Sequence, residues 1–459
     1  MVDETPKVGL ERKLGLFPLT NIVIANMIGA GIFTTSGLLM KDLRHPLLML
    51  SLWIAGGIIA VCGALSYGEL GAAIPQAGGE YAFLSKLFHP LFGFLSGWVS
   101  FFVGFSAPIA ASAIGFSEYF TRAFPGSLKL GFFEGSLEGA ILKKLYAILV
   151  IIAFTLIHLR GTVFGTRVQN ALTLLKIGLI TGLVIAGFSL GKGTLHHLTL
   201  GDSFRFDFGG WKIIGLSLMW IMFAYSGWNA SAYVGSEIKN PEKNMPRSLI
   251  LGTAAVILLY FCLNLFYIYA VEPEKMKGVI SIAGLAAGSL FGKSLGAAIS
   301  ILISFALFSS LSAFIILGPR VYYAMAKDGY FFRFVGDVHH RYHVPSKSIL
   351  LQCGISAVIV LSGSFDQILT YMGFSLGIFP ILAVIGVFKL RRLKMNPSKM
   401  PGFPLAPILY ILAGLLILFL GFLERPIESS IALLTVAAGI PAYFLFKRYS
   451  KKDKTCAAK

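Results

Sequence analysis

Apolar residues in this chain fall into long uninterrupted runs separated by short polar stretches. Crossing a hydrocarbon core takes about 20 residues of helix, and runs of that order repeat along the whole sequence. The pattern predicts helices at 16–40, 47–73, 91–121, 142–159, 163–190 and 211–237, then at 248–271, 294–326, 348–363, 366–388, 404–423 and 428–446. Twelve spans make an all-α polytopic membrane protein, one transmembrane domain over 1–459, with both termini on the same side. Most connections are short. The stretches 122–141 and 191–210 read as solvated loops from their Gly, Ser, Asp and Lys content. Residues 276–291 are apolar but too short to span, which suggests a re-entrant or interfacial helix. The stretch from Pro75 to Pro90, with Gln-Ala-Gly-Gly-Glu-Tyr, predicts a short helix along the membrane face.

Composition fits this pattern. Of the 459 residues, 56% are hydrophobic and 13% charged, against about 25% charged in a soluble domain. The net charge of +18 would point to nucleic acid in a soluble protein, but here its distribution matters more. Lys and Arg are about twice as frequent on the terminal side, clearest at Lys389, Arg391, Arg392, Lys394 and the tail from Lys447, so the termini are expected in the cytoplasm of a cell-membrane protein and no nucleic-acid partner is expected. The first run is too long for a secretory signal and lacks a cleavage site. Cys62, Cys262, Cys353 and Cys456 show no metal spacing and are expected to be reduced thiols. No catalytic, metal or cofactor motif is present, so no enzyme and no cofactor is expected.

Two spans carry small-residue interruptions near their middles. The first contains Gly29-Ala30-Gly31-Ile32-Phe33 and the sixth contains Phe223-Ala224-Tyr225-Ser226-Gly227-Trp228-Asn229. Each stands first in a set of five helices, over 16–190 and 211–388, with two extra helices over 404–446. Five is odd, so the second set enters the membrane inverted. Interrupted helices at matching places in two halves point to the binding site of a secondary transporter. A break in mid-membrane frees backbone groups that lipid cannot satisfy, so it must line a cavity or be covered. The free amides of Ala30, Gly31 and Ile32 suit a carboxylate; the free carbonyls of Met27, Ile28, Phe223, Ala224 and Ser226 suit an ammonium group. Together they could receive a zwitterion without a charged side chain. Alone, the Gly-Ala-Gly stretch reads equally well as close helix packing.

Lys176 is the other sharp feature. It lies about twelve residues from either end of its span, roughly 18 Å from each surface, too deep to snorkel. An intramembrane charge is a functional-site hypothesis by default. Burial lowers a lysine's proton affinity and carbonyl partners raise it, which leaves a fixed brace and a proton carrier both open. Glu69 and Glu118 lie near helix ends and are expected to be hydrated, His158 to be interfacial, and Glu237 to pair with a nearby cation as a latch.

The GAGIF and FAYSGW stretches resemble the amino acid–polyamine–organocation (APC) superfamily. So do the run from Glu237 through Asn240-Pro241 to Pro246-Arg247 and the stretch Gly318-Pro319-Arg320-Val321-Tyr322-Tyr323 to Gly329. The resemblance covers nearly the whole chain and is nearest to bacterial relatives of the L-type amino acid transporters. It implies a LeuT-type fold of 5+5 inverted repeats with discontinuous helices one and six, and a substrate site between helices one, three, six, eight and ten. The family's backbone contacts carry over to Met27, Ala30, Gly31, Phe223, Ala224 and Ser226, and Trp228 would cover the side-chain pocket. Sodium-independent members hold a lysine in helix five where sodium-coupled relatives hold an ion. Lys176 is therefore expected to tie carbonyls near Met27 to Ser309 or Ser310.

The middles of helices three, six, eight and ten carry no acidic residue, and no free cation besides Lys176 is buried there. Small to medium neutral amino acids are the expected substrates, admitted by Ser226, Gly227, Asn229 and an alanine-rich helix three, by exchange or by proton symport. A carrier of polyamines or cationic amino acids and a non-transporting amino acid sensor remain the alternatives. The loop between helices three and four holds no cysteine, so no disulfide-linked heavy subunit is expected.

Overall fold

The structure of the protein, a computed structural model, describes residues 12, 14–76, 78–128, 136–160, 162–337, 339, 344–395 and 400–456. The described residues are helical almost throughout. In chain order the helices are α1 Leu16–Met27, α2 Ala30–Leu43, α3 Pro46–Ala73, α4 Glu80–Leu87, α5 Pro90–Val99 and α6 Ala107–Ala123, with a π-helical turn Ser100–Ser106 joining the last two. Then come α7 Ser136–Leu159, α8 Thr162–Leu190, α9 Phe208–Ala224, α10 Ala230–Tyr233, α11 Pro241–Ala270, α12 Pro273–Met276 and α13 Ile282–Phe291. The chain ends with α14 Lys293–Lys327, α15 Ser346–Ser362, α16 Phe365–Arg392, α17 Leu405–Glu424 and α18 Pro426–Cys456.

Helix starts follow local chemistry. His45 Nδ1 accepts the amide of Leu48 and His89 Nδ1 that of Leu91, each just before a proline that needs no amide partner. Asp207 caps α9 through Gly210 N at 2.8 Å, and Ser364 and Gln367 form a capping box on α16. α2 stops where Arg44 turns left-handed, at φ 53°.

Among the described residues, ten helical stretches are long and apolar enough to cross a membrane. Two shorter apolar helices, α9 and α15, fall on the sixth and ninth expected spans. α9 is short because the backbone leaves the helix at Tyr225. The outer faces are apolar: Leu149 and Leu156 on α7 are 52% and 55% exposed, and Leu412 and Phe419 on α17 are 62% and 59% exposed. Apolar surface on this scale needs lipid to cover it. The chain is a multi-pass membrane protein.

α11 packs along α3 and α1, while α14 packs along α6 and α8, and α9 lies against α17, α2 and α16. One end of the bundle, here the amino-terminal end, brings together Leu14, Gly78, Tyr233 and Lys239 through Lys239 N→Leu14 O at 2.9 Å and Gly78 N→Tyr233 O at 3.2 Å. The opposite end is laced by Arg44–Asp202, Lys143–Glu118, Lys212–Glu424 and Arg425–Asp366. Pairs as exposed as Arg44–Asp202 contribute little to stability.

The short helix predicted after Pro75 is α4, but it is tucked inward, burying Glu80, Ala82, Phe83, Leu84 and Leu87. The 276–291 stretch forms the short helix α13. Glu69 departs from the hydrated position expected of it. Its side chain is wholly buried, takes a two-pronged bond from Arg391 (Nε and Nη2, both 2.7 Å), and accepts Met400 N at 3.2 Å. Arg391 also lies 3.7 Å over the Phe403 ring. A carboxylate near a helix end can be drawn inside when a fork-shaped donor follows it. Glu118 is partly buried and paired with Lys143 at 2.8 Å. His158, expected at an interface, is buried with Nε2 at 2.9 Å from Ser312 Oγ, because α14 covers its helix end. The side chain of Glu237 lies outside the described residues.

Candidate functional site

The two interruptions meet. α1 stops at Met27, Ile28 turns to ψ 88°, Gly29 is extended, and α2 begins at Ala30. α9 stops at Ala224, and Tyr225–Asn229 cross to α10 with Gly227 at φ 100°. Gly31 stands against Ala224 so closely that an added Cβ would lie 2.5 Å from the Ala224 Cα. The small residue at 31 thus serves the packing of one break on the other.

Other helices bond the carbonyls freed at the first break. Tyr260 OH on α11 reaches Met27 O at 2.6 Å and Ala224 O at 3.0 Å, joining both breaks through one hydroxyl. Lys176 on α8 is fully buried, and its Nζ donates to Ala25 O at 3.1 Å, to Ile28 O, and to Ser310 Oγ at 3.4 Å. Ser310 Oγ itself donates to Ile28 O at 3.3 Å. Ser309 Oγ lies 3.1 Å from Thr173 Oγ1, three residues before Lys176 on the same helix. Gly29 carries no side-chain cap, so the first turn of α2 at Ala30, Gly31 and Ile32 begins with bare backbone amides.

Toward the opposite end the second half of the broken helix is pinned. Ser36 Oγ donates to Asn264 Oδ1 at 2.6 Å, Gly278 N to Gly37 O at 2.8 Å, and Tyr119 OH bonds Phe33 O while accepting Ala283 N at 3.2 Å. A Cβ on Gly37 would meet Val279 O at 2.1 Å, so the segment before α13 closes directly over α2.

On the amino-terminal side of the breaks lies a cavity of ≈ 140 Å³. It is smaller than the roughly 300–1,000 Å³ of drug-sized sites, a scale that suits a small molecule. Phe223, Ser226, Gly227, Trp228 and Asn229 line it from the second break and Asn26 from α1. Gly104, Phe105 and Pro108 line it from the π-helical turn and the start of α6. π-turns of this kind recur at functional sites; here Pro108 removes an amide and Ser106 Oγ bonds back to Phe101 O at 2.6 Å. α16 contributes Gly373 and Ser375–Gly377 near its internal Pro380. Of the residues singled out in the sequence, Met27, Ile28, Ala30, Gly31, Ile32 and Ala224 do not line this cavity; they form the packed junction beside it.

Trp228 is 4% exposed, edge-on to Tyr67 at 4.7 Å and to Tyr410 at 5.8 Å. The floor holds Glu80, whose Oε1 accepts Tyr67 OH and Asn229 Nδ2, each at 2.8 Å. Sequence reasoning missed Glu80 because it searched helix middles for acids, whereas this one reaches in from the loop helix α4. It also missed Tyr260, and Ser375, whose buried Oγ has no partner among the described residues. The glycine pair before Glu80 was the available signal: Gly78 and Gly79 both take positive φ, turning α4 back into the bundle.

A buried, largely neutral cavity beside two broken, mutually packed helices is the arrangement that secondary transporters use for their substrates. The chain belongs to the amino acid permease family, which it matches over residues 14–440, within the APC superfamily. It is 29% identical to the serine/threonine exchanger SteT of Bacillus subtilis (strain 168) over 446 residues, covering 96% of this chain and 98% of that one. It is 27% identical to the mouse (Mus musculus) large neutral amino acids transporter small subunit 2 over 459 residues, covering 97% of this chain and 83% of that one. With the human (Homo sapiens) cystine/glutamate transporter it shares 26% over 452 residues, covering 98% and 88%. The protein is an amino acid transporter.

Proposed function

We propose that the chain is a sodium-independent secondary carrier of small to medium neutral L-amino acids, by exchange or proton symport. In this reading it sits in the cell membrane as twelve spans, a LeuT-type pair of inverted five-helix sets plus two, with the amino-terminal end of the bundle facing the cytoplasm. The observation that carries it is the junction of the two breaks with Lys176. An ammonium has three donors, and Lys176 Nζ has three oxygens within reach: Ala25 O, Ile28 O and Ser310 Oγ. On this reading Lys176 serves as a cation bracing the first break, with no sodium ion needed there. With the opposite end covered and the cavity lying toward the other end, this arrangement is the one that has closed to the outside.

The substrate's carboxylate would meet the bare amides at Ala30–Ile32, and its ammonium the backbone of the second break around Phe223 and Ser226. Ser226, Gly227, Trp228 and Asn229 would size the side chain. The described cavity lining contains no Lys, Arg or Asp, and its one acid, Glu80, is engaged by protein donors. That supports neutral substrates over cationic or dicarboxylic ones, as does the serine/threonine exchanger among its relatives. The loop after α6 has no cysteine for a disulfide-linked partner, so the chain would work alone. The test is counterflow in proteoliposomes. Alanine, serine, threonine or leucine inside should drive uptake of the labelled neutral amino acid, while arginine, glutamate and putrescine should not, and replacing sodium should change nothing. Uptake of arginine that ignores alanine, serine and leucine would overturn the substrate reading.

A further inference from the structure

The cavity floor holds a carboxyl to which substrate recognition assigns no task. Glu80 is 7% exposed. Besides Tyr67 OH and Asn229 Nδ2, the hydroxyls of Ser96 and Tyr233 also reach it. Its partners arrive from α3, α5, the second break and α10, and every one of them is neutral. The titratable groups facing it are the phenols of Tyr67, Tyr233 and Tyr410. Cations on the surrounding elements are committed elsewhere: Lys86 on α4 is exposed, Lys389 on α16 lies over the Phe88 ring at 5.2 Å, and Arg391 holds Glu69. Glu69, the other acid on the packed faces, is thereby neutralised, whereas Glu80 has no counter-cation among the described residues.

The bonds from Tyr67 and Asn229 both fall on Oε1. That leaves Oε2 the oxygen able to carry a proton, with Ser96 and Tyr233 as hydroxyl donors that favour the carboxylate. Two of the four partners, Asn229 and Tyr233, follow Gly227, whose positive φ marks the turn of the second break. Withdrawal of that segment would strip half of Glu80's partners and admit water from the amino-terminal end.

We propose that Glu80 is a proton-binding site of this carrier: it holds a proton while packed against Asn229 and Tyr233, and releases it to water when that segment withdraws. The step breaks only the carboxyl O–H bond and leaves a carboxylate. The direction of linkage follows from burial, which raises the Glu80 carboxyl's proton affinity above the ordinary range even though its donors oppose it. A raised carboxyl favours the packed state in acid, and that preference is lost as pH rises through the raised value; alkaline conditions favour the hydrated, open floor.

This inference rests on the transporter reading, and its test separates the two. In proteoliposomes, the transport rate should change with pH between about pH 5 and pH 8, by up to about tenfold per unit where the group titrates, and Glu80→Gln should flatten that profile. Tyr67→Phe and Ser96→Ala remove donors that favour the carboxylate and should move the midpoint to higher pH. A wild-type rate indifferent to pH, or a Glu80→Gln profile like that of the wild type, would overturn the proposal while leaving amino acid transport standing. Infrared spectra of the purified wild-type protein add a readout independent of transport. A protonated-carboxyl band that survives above the usual carboxylate range and is missing in Glu80→Gln is expected, and its absence overturns the assignment.

Discussion

The two helix breaks face the same difficulty, unpaired backbone in mid-membrane, and resolve it differently. The first is short, and three other helices hold it: α8 through Lys176, α11 through Tyr260 and α14 through Ser310. The second spans Tyr225–Asn229 and is held by its own side chains, Asn229 Nδ2 reaching Glu80 on α4 at 2.8 Å. Ser226 N bonds back to Phe223 O at 2.8 Å and Tyr225 OH reaches Trp53 O at 3.1 Å, while Ser226, Gly227, Trp228 and Asn229 turn to the cavity. The contrast teaches a division of labour. On the proposed reading the first break is a tethered joint and the second a ligand-facing hinge, with the Tyr260 hydroxyl bonding both.

The contrast breaks most severely at Lys176. Lys176→Ala leaves two buried carbonyls without their charged donor, each costing about 1–3 kcal/mol. Counterflow should fall by roughly a hundredfold, the equivalent of about 3 kcal/mol at the joint. A variant that transports at the wild-type rate and affinity would remove the tether from the argument, whether Lys176 is viewed as a brace or as a proton carrier. The next largest effect falls on the hinge. Gly227 sits at φ 100°, and a Cβ there would lie 2.8 Å from the Asn26 carbonyl carbon. Gly227→Ala should cost about 1–2 kcal/mol from backbone strain alone, with transport down at least about tenfold. Gly178→Ala in α8, where no atom lies within 4 Å of the added methyl, should leave transport alone and raise the melting temperature in detergent slightly. Equal responses at the two glycines would erase the distinction between hinge and plain helix.

The joint was legible in the sequence to different depths. Apolar run length gave many helix ends to within a few residues, because lipid leaves few other solutions for an apolar stretch: 47–73 falls in Pro46–Ala73 and 366–388 in Phe365–Arg392, whereas Pro241–Ala270 and Pro426–Cys456 extend well past 248–271 and 428–446 into polar sequence that apolar content does not mark. The positions of both breaks were readable from small residues, and Lys176 from its depth. What could not be read was which partner reaches each freed carbonyl. Tyr260 looks like one more aromatic in an apolar run, and only the crossing of α11 over both breaks gives its hydroxyl two acceptors. Glu69, Glu80 and His158 escaped for a related reason. Each lies near a helix end, where sequence position suggests water, and each is covered by an element distant in sequence: the end of α16, the second break, and α14.

The smallest expected effect sharpens the hinge side of the comparison. Ser375, on α16 across the cavity from the second break, has a buried Oγ with no partner among the described residues. Buried hydroxyls seldom stay unbonded, since an unmet group costs about 1–3 kcal/mol. A ligand polar group or a water in the cavity is the available partner. If the substrate supplies it, Ser375→Ala removes one neutral hydrogen bond. That should weaken apparent affinity by about threefold to tenfold, or about 0.5–1.5 kcal/mol, while the melting temperature without ligand holds or rises because the unmet group is gone. A competition assay with a neutral amino acid measures the first quantity and a thermal shift the second. Weaker binding with unchanged stability would make α16 part of the recognition surface facing the second break. Unchanged affinity with raised stability would mean the hydroxyl never meets substrate, and recognition would then fall to the backbone of the breaks and to the residues from Ser226 to Asn229.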